Sequence, residues 1–272
     1  MSQLKLFSID NMLIRPPLRY PGSKYGALKI IEKYLPKGKI SDYCEPFFGS
    51  GAFYFKLVNP DAKIILNDYD ENLINFYQII KSQKNINKFC KIVSKFKPSK
   101  KNFDEIKIKS FSKNFDRAVQ YFIINRTAYS GIMNKPNWGY HPERSVQPHK
   151  WSERIKLANS KLKNSKLYSV DFRVFFSEVK LTKNTFLFVD PPYYSADQKR
   201  AYSKSFTKKD HADLSQILKK TKNKFLLTYD NVDEVKKLYS WANLYPATWR
   251  YHTANSNKAT RKKGNEIVIT NY

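Results

Sequence analysis

Thr185-Phe186-Leu187-Phe188-Val189-Asp190-Pro191-Pro192-Tyr193 is the stretch on which the reading of this chain turns. An unbroken apolar run of strand length ends abruptly in a carboxylate, two prolines and an aromatic ring. The pattern predicts a buried parallel strand that delivers polar groups to the edge of an open α/β sheet, where such sheets hold their ligands. Pro191 and Pro192 fix φ and remove two N–H donors, leaving backbone carbonyls free to accept. Asp190 adds a carboxylate beside them, and Tyr193 a flat face for stacking. Two acceptors and one ring suit a planar group bearing an NH2, such as the exocyclic amine of a nucleobase. Read alone, the tetrad also fits a strand-to-turn junction whose Asp merely caps the next segment of chain.

Towards the amino terminus, Ile40-Ser-Asp-Tyr-Cys-Glu45-Pro46-Phe47-Phe48-Gly49-Ser50-Gly51 reads as a strand running into a glycine turn and then a helix. Gly49 and Gly51 let backbone approach a nucleotide-type ligand closely. Lys63-Ile-Ile-Leu-Asn67-Asp68 is a second strand ending in an acid, at the spacing from the glycines where Rossmann-like folds place an acid on ribose hydroxyls. Before both, Tyr20-Pro21-Gly22-Ser23-Lys24 is a turn leading into a helix near residues 27–34. It lacks the spacing of a P-loop but can hold an anion. Lys166 to Asp171 and Phe172 form another short strand ending in an acid and an aromatic. Further strands are expected at 224–230 and 265–272, and helices at 71–81, 115–124, 152–162 and 208–219. The alternation implies one doubly wound sheet.

Between residues 82 and 165 the composition shifts to lysine-dense and strand-poor, which predicts a helical insertion dividing the chain into 1–81, 82–165 and 166–272. Its lysines form either a solvated face or a stripe that tracks phosphates. Within it, Asn125-Arg126-Thr-Ala-Tyr129-Ser130-Gly131-Ile-Met-Asn134-Lys-Pro-Asn137-Trp-Gly-Tyr140, followed by Arg144, alternates amide, guanidinium, hydroxyl and aromatic groups over a turn-rich loop. That is chemistry for reading base edges and wedging between base pairs.

The net charge of +27, from 50 Lys and Arg against 23 Asp and Glu, makes a polyanion the leading partner. Two cysteines argue against a disulfide framework and fit a reducing cytoplasm. The four histidines lack ligand spacing, so no metal is expected. No signal peptide or membrane-length apolar run is visible, so no membrane association is expected.

Taken together these motifs resemble the Dam-like adenine-N6 DNA methyltransferases, over about residues 16–272. Tyr20, Gly22 and Lys24 look like the amino-terminal cofactor motif, and Glu45, Phe47, Gly49 and Gly51 like the glycine motif. Asp68 looks like the ribose acid, Asp171 and Phe172 match the position beside the cofactor adenine, and Asp190-Pro-Pro-Tyr193 matches the catalytic tetrad. Thr260 to Glu266 before the last strand is family-like as well. The resemblance implies a Rossmann-like, seven-stranded, mostly parallel sheet with an inserted helical DNA-recognition subdomain. It implies S-adenosylmethionine as cofactor, a flipped-out adenine as target, and Asp190 serving cofactor as well as amine. Asn125-Arg126 and Tyr129-Ser130-Gly131 match the loop whose aromatic enters the duplex while its neighbour touches backbone. Asn134 stands where readers of GATC commonly carry arginine, and asparagine prefers adenine where arginine prefers guanine, so the resemblance does not imply GATC as the site.

On these grounds double-stranded DNA is the expected partner, a cognate restriction endonuclease is a possible one, and a monomer is favoured. An RNA or other amine methyltransferase would share the cofactor motifs and tetrad without needing the basic insertion or Tyr129. A catalytically silent DNA-binding protein on the same fold would have no need of an intact tetrad.

Overall fold

The computed structural model describes residues 14–20, 22–37, 41–59, 61–195, 205–250 and 263–272. Pro21, the 196–204 part of the polar loop after the tetrad, and most of the basic stretch before the last strand, Thr260 included, lie outside them. Seven strands form one sheet: β1 Asp42–Glu45, β2 Lys63–Asn67, β3 Ser165–Tyr168, β4 Thr185–Val189, β5 Phe225–Asp230, β6 Asn243–Arg250 and β7 Lys263–Thr270. Their order is β3-β2-β1-β4-β5-β7-β6. The first five run parallel, and β7 lies antiparallel between β5 and β6. This is the expected fold class.

Period-two alternation explains why the central strand is apolar throughout. Phe186 and Phe188 join Tyr43, Leu226 and Val268 in the core on one face, while Leu187 and Val189 join Cys44, Leu227 and Ile269 on the other. Sequence order reverses between β1 and β4, so the carboxyl ends of those two strands open a crevice at the switch point.

Helices cover both faces: α1 Leu28–Ile31, α2 Ala52–Leu57, α3 Glu71–Lys81, α4 Gln83–Ser94, α5 Lys100–Ile108, α6 Asn114–Thr127, α7 Trp151–Leu162, α8 Phe172–Glu178, α9 Lys208–Lys220 and α10 Asp233–Leu238. Between α3 and β3 the chain makes only helices and turns over α4 to α7, where the insertion is expected. Most of its buried side chains join the sheet's core, while Phe103, Ile124 and Ala128 form a small cluster of their own. Phe76 of α3 stacks on Phe122 of α6 at 5.6 Å, Phe122 meets Phe89 of α4 and Trp151 of α7, and all belong to the cluster that packs the sheet face. Lys161 of α7 ties the layers by donating to the Phe55 and Val58 carbonyls at 2.8 and 3.0 Å.

Three of the differences from the sequence expectation have plain causes. Residues 169–171 leave the sheet after Tyr168, because Asp171 accepts from the Arg173 amide and caps α8. The expected helix near 27–34 is four α-helical residues between two 3-10 turns. β6, an unexpected edge strand, tolerates Pro246 because only one neighbour requires its hydrogen bonds.

Candidate active site

A cavity of about 360 Å³ lies at the carboxyl ends of β1, β2 and β4. At the end of β1, Glu45 is buried and accepts a 2.8 Å hydrogen bond from the Tyr43 hydroxyl; burial pushes its carboxyl well above the usual range. The chain then turns through Gly49 at φ 49° and Gly51 at φ 66°, the latter preceding α2. A Cβ on Gly51 would come within 2.5 Å of the Phe48 ring, and one on Gly49 within 3.1 Å of Tyr20, so glycine is required on both conformational and steric grounds. Asp68, just past β2, accepts from the Gly49 amide at 2.7 Å and the Asp70 amide at 3.0 Å. Burial outweighs those bonds and pushes its carboxyl up to about 6.

The first acceptor of the tetrad is already engaged. Lys24, only 5% exposed, places Nζ 2.7 and 2.8 Å from the two oxygens of Asp190 and 4.6 Å from the centre of the Tyr193 ring. Lys24 therefore does not serve a free anion in its turn; its ammonium rests on the carboxylate and the ring expected to receive an amine.

Strand β5 holds the tetrad with three consecutive residues that the sequence reading passed over. Thr228 Oγ1 donates to Asp190 Oδ1 at 2.7 Å. The Tyr229 ring packs on Tyr193 at 5.8 Å, and its hydroxyl bonds to buried His211, whose imidazole burial holds down at about 4 and so neutral. Asp230 accepts from the amides of Tyr194 and Ser195 at 3.0 and 2.7 Å. The only sequence signal for this clamp was the position of these residues at the end of a strand expected beside the central one.

Of the expected cofactor residues, Tyr20, Gly22, Lys24, Glu45, Phe47, Gly49, Asp68, Asp171, Phe172 and Asp190 line this one cavity, while Gly51 shapes its turn from behind. Asp171 also pairs with Arg173, 3.2 Å away, and further ion pairs join Arg173 to Asp210 and Asp213. Pro192 lines the cavity too; Pro191 is buried, and Tyr193 is taken up by Lys24 and Tyr229. Tyr69, 53% exposed at the rim, was missed although it directly follows the acid.

The loop after α6 continues the cavity wall through Gly131, Met133 and Asn134. An antiparallel bridge between Ala128 and Trp138 closes it, with the Tyr129 amide on the Asn137 carbonyl at 2.8 Å, and Phe103 of α5 packs beneath Trp138. Tyr129, Ser130 and Asn134 are half-buried, whereas Asn137 and Arg144 are exposed. Ser130 takes φ 52° and Lys135 φ 48°, left-handed conformations held by the surrounding bonds. Asn125 departs from the expected DNA contact. It is fully buried; its side chain accepts from the Arg19 amide at 2.8 Å and donates to the Arg19 carbonyl at 2.7 Å, which leaves it a structural tie. Arg126 is buried as well. Among the described residues no helix is long and apolar enough to cross a membrane, and no group of three or more His, Cys, Asp or Glu is placed to hold a metal.

Comparison with known proteins agrees with this geometry. The type II methyltransferase M.MjaIII of Methanocaldococcus jannaschii is 29% identical over 96% of this chain and all of its own length. The type II methyltransferase M.CviBI of Paramecium bursaria Chlorella virus NC1A is 26% identical over 95% of this chain and all of its own. The DNA adenine methylase of Escherichia coli K12 is 25% identical over 92% of this chain and 93% of its own. The family model for D12 class N6 adenine-specific DNA methyltransferases matches residues 20–253. That match takes in every strand end that lines the cavity and most of the chain, so this protein belongs to the D12 class of N6 adenine-specific DNA methyltransferases.

Proposed function

We propose that the cavity binds S-adenosylmethionine and an extruded adenine side by side, and that this chain methylates N6 of adenine in one short duplex sequence other than GATC. One observation carries the reading: Asp68 with its glycine turn and Asp190 with its prolines open onto the same cavity. The residues present fit the cofactor. Two left-handed glycines clear the approach to backbone, Asp68 offers acceptors for ribose hydroxyls, and Phe47, Phe172 and Tyr69 offer flat apolar faces to an adenine. When bound, the cofactor supplies an electrophilic methyl group on a sulfonium.

The chain's own residues prepare the amine that takes it. A stacked and paired adenine cannot present N6 to the floor of a cavity, so the base is extruded. Its amine then displaces the Lys24 ammonium, donating to Asp190 and to the carbonyl of Pro191 and stacking on Tyr193. Accepting those hydrogens draws the nitrogen lone pair out of conjugation with the ring and directs it at the methyl carbon. Thr228 and Asp230 keep the acceptors still while this happens. Tyr129 and Ser130 meet the opened duplex, Asn134 reads a base edge from the cavity rim, and Asn137 and Arg144 face the duplex from the exposed part of the loop. We place the protein in the cytoplasm as a monomer, acting alone or beside a cognate endonuclease.

Incubation with S-adenosylmethionine and unmethylated genomic DNA, followed by single-molecule sequencing for N6-methyladenine, tests the reading and gives the site. Methylation in one context is expected. Methylation confined to GATC would remove the role given to Asn134, and methylation of RNA alone would replace the substrate.

A further inference from the structure

Arg173, in the first turn of α8, joins two parts of the chain that meet at the aromatic end of the cavity. Phe47, Phe172 and Phe206 lie there with ring centres 5.4 to 5.8 Å apart, and all three line the cavity together with Asp171 and Asp210. Arg173 stands behind them, outside the lining and one-third exposed. Its guanidinium spreads over three acids. Nη1 lies 3.2 Å from Asp171 Oδ1, Nη2 pairs with Asp210, and Nε donates to Asp213 at 2.8 Å. The guanidinium carbon sits 4.4 Å from the centre of the Phe172 ring. Asp171 also accepts from the Arg173 amide at 3.0 Å, and Asp210 from the Thr207 amide and hydroxyl at 2.6 and 2.7 Å. A single side chain thus fixes the acid and ring that begin α8 against the first turn of α9, which follows directly on Phe206 and Thr207.

Two carboxylates gathered on one cavity wall repel, and without a shared cation one of them takes up a proton more readily. Burial works against the Asp210 carboxylate, but the bonds from Thr207 and Arg173 outweigh it and hold its pKa below the usual range. An ionised carboxylate only accepts hydrogen bonds, whereas a protonated one also donates. A fixed acceptor beside three rings welcomes a purine whose 6-position carries an amine and repels one that carries an oxygen there. The flat guanidinium holds its three acids through three separate nitrogens, which a lysine ammonium on a flexible stem cannot reproduce. We propose that Arg173 is a positioning residue for the cofactor: by holding the Asp171 carboxylate and Phe172 in place, it makes the cavity select a 6-amino purine over a 6-oxo purine. This role rests on the proposed reading of the cavity as the S-adenosylmethionine site.

Calorimetry with S-adenosylhomocysteine and with its 6-oxo counterpart, S-inosylhomocysteine, tests the assignment without any need for turnover. Wild type is expected to prefer the amino compound by about 10-fold to 100-fold. Arg173→Met should lose most of that preference, chiefly by binding the amino compound more weakly, and Arg173→Lys should restore only part of it. Asp171→Asn should erase the preference too, because its amide can turn to serve either group. The double variant should then lose no more than Asp171→Asn alone, as expected of a residue that acts through the other. An Arg173→Met protein that binds both compounds more weakly by the same factor would reduce Arg173 to a structural tie and overturn the proposal, as would losses that multiply in the double variant. A wild type that binds the two compounds equally would overturn it while leaving the cofactor reading in place. A wild type that binds neither would remove the cofactor reading and the role of Arg173 together.

Discussion

Removing the Asp190 carboxylate should damage catalysis and stability by separable routes. Asp190→Ala strips Lys24 of the partner that holds it at 2.7 and 2.8 Å, and Lys24 is 5% exposed against 20% for Asp190. Breaking a buried pair from one side costs about 3–5 kcal/mol, and the partial exposure of the carboxylate brings the expectation nearer to about 2–4 kcal/mol. For a chain of this length that lowers Tm by roughly 5–12 °C. Turnover should fall at least about 100-fold, because the amine loses the acceptor that redirects its lone pair. The double variant Asp190→Ala with Lys24→Met removes both charges, so most of the Tm should return while turnover stays low. Calorimetry and single-turnover methyl transfer read the two effects independently. An Asp190→Ala protein with wild-type turnover would refute the catalytic role. An unchanged Tm in the single variant would show that the buried pair does not exist in solution.

Thr228→Val keeps the shape and deletes the bond to Asp190; a lost bond to a charged group predicts about 10-fold to 100-fold lower kcat, with KM for DNA little changed and Thr228→Ser restoring most of the loss. Wild-type turnover in the valine variant would make Thr228 a packing residue only. Asp68, pushed up to about 6, accepts ribose hydroxyls best when ionised, so S-adenosylmethionine affinity measured by calorimetry should fall as pH drops through about 6. The same raised value means that folding favours the protonated acid, so its contribution to stability declines as pH rises from the usual carboxylate range to about 6. Asp68→Asn should flatten the affinity profile, and a slope surviving in that variant would assign it to another group. Gly139→Ala puts a Cβ 2.4 Å from Tyr129 Cα, so the loop must shift; discrimination between DNA sites should loosen while cofactor affinity holds, and unchanged discrimination would free Tyr129 from the wedge role.

What could be read from the chain was whatever depends on near neighbours. The apolar run into Asp190, the glycine turn and the acid of Asp68 declare themselves within a few residues, and β4, β1 and β2 form where they were expected. The amphipathic α3, α6, α7 and α9 did so too, because each carries an apolar stripe on one face. α5 was missed because Phe103 is its only buried residue, and β6 because Pro246 interrupts it at an edge. At the site, Tyr69 apart, what the chain did not show is of long range. Asn125 beside Arg126 looks like a DNA-facing pair until Arg19, 106 residues away, occupies its amide. Lys24 looks available to an anion until Asp190, 166 residues on, claims it. A partner that distant leaves no periodicity or spacing behind, so only the fold could reveal it.

Lys24 and Arg126 are both buried cations, and the contrast between them bears on stability. Lys24 has Asp190; Arg126 has Arg154 and Arg19, which oppose its charge, Tyr140, which offsets them in part, and an Nε without a partner. A base whose folded value is pulled below the free one, here to about 9, is less readily charged in the native chain than in the unfolded one. At pH 7 it is charged in both states, so its burial weakens the fold by an amount that does not change with pH until deprotonation begins near 9. Arg126→Met removes the charge and keeps a long flexible stem in the same space, so the free protein should become more stable while its affinity for DNA falls. A denaturation midpoint that rises together with a weaker DNA Kd would identify Arg126 as a residue kept for binding at the expense of folding. A midpoint that drops by several degrees would show that the guanidinium already finds its partners in the free chain and would refute this reading.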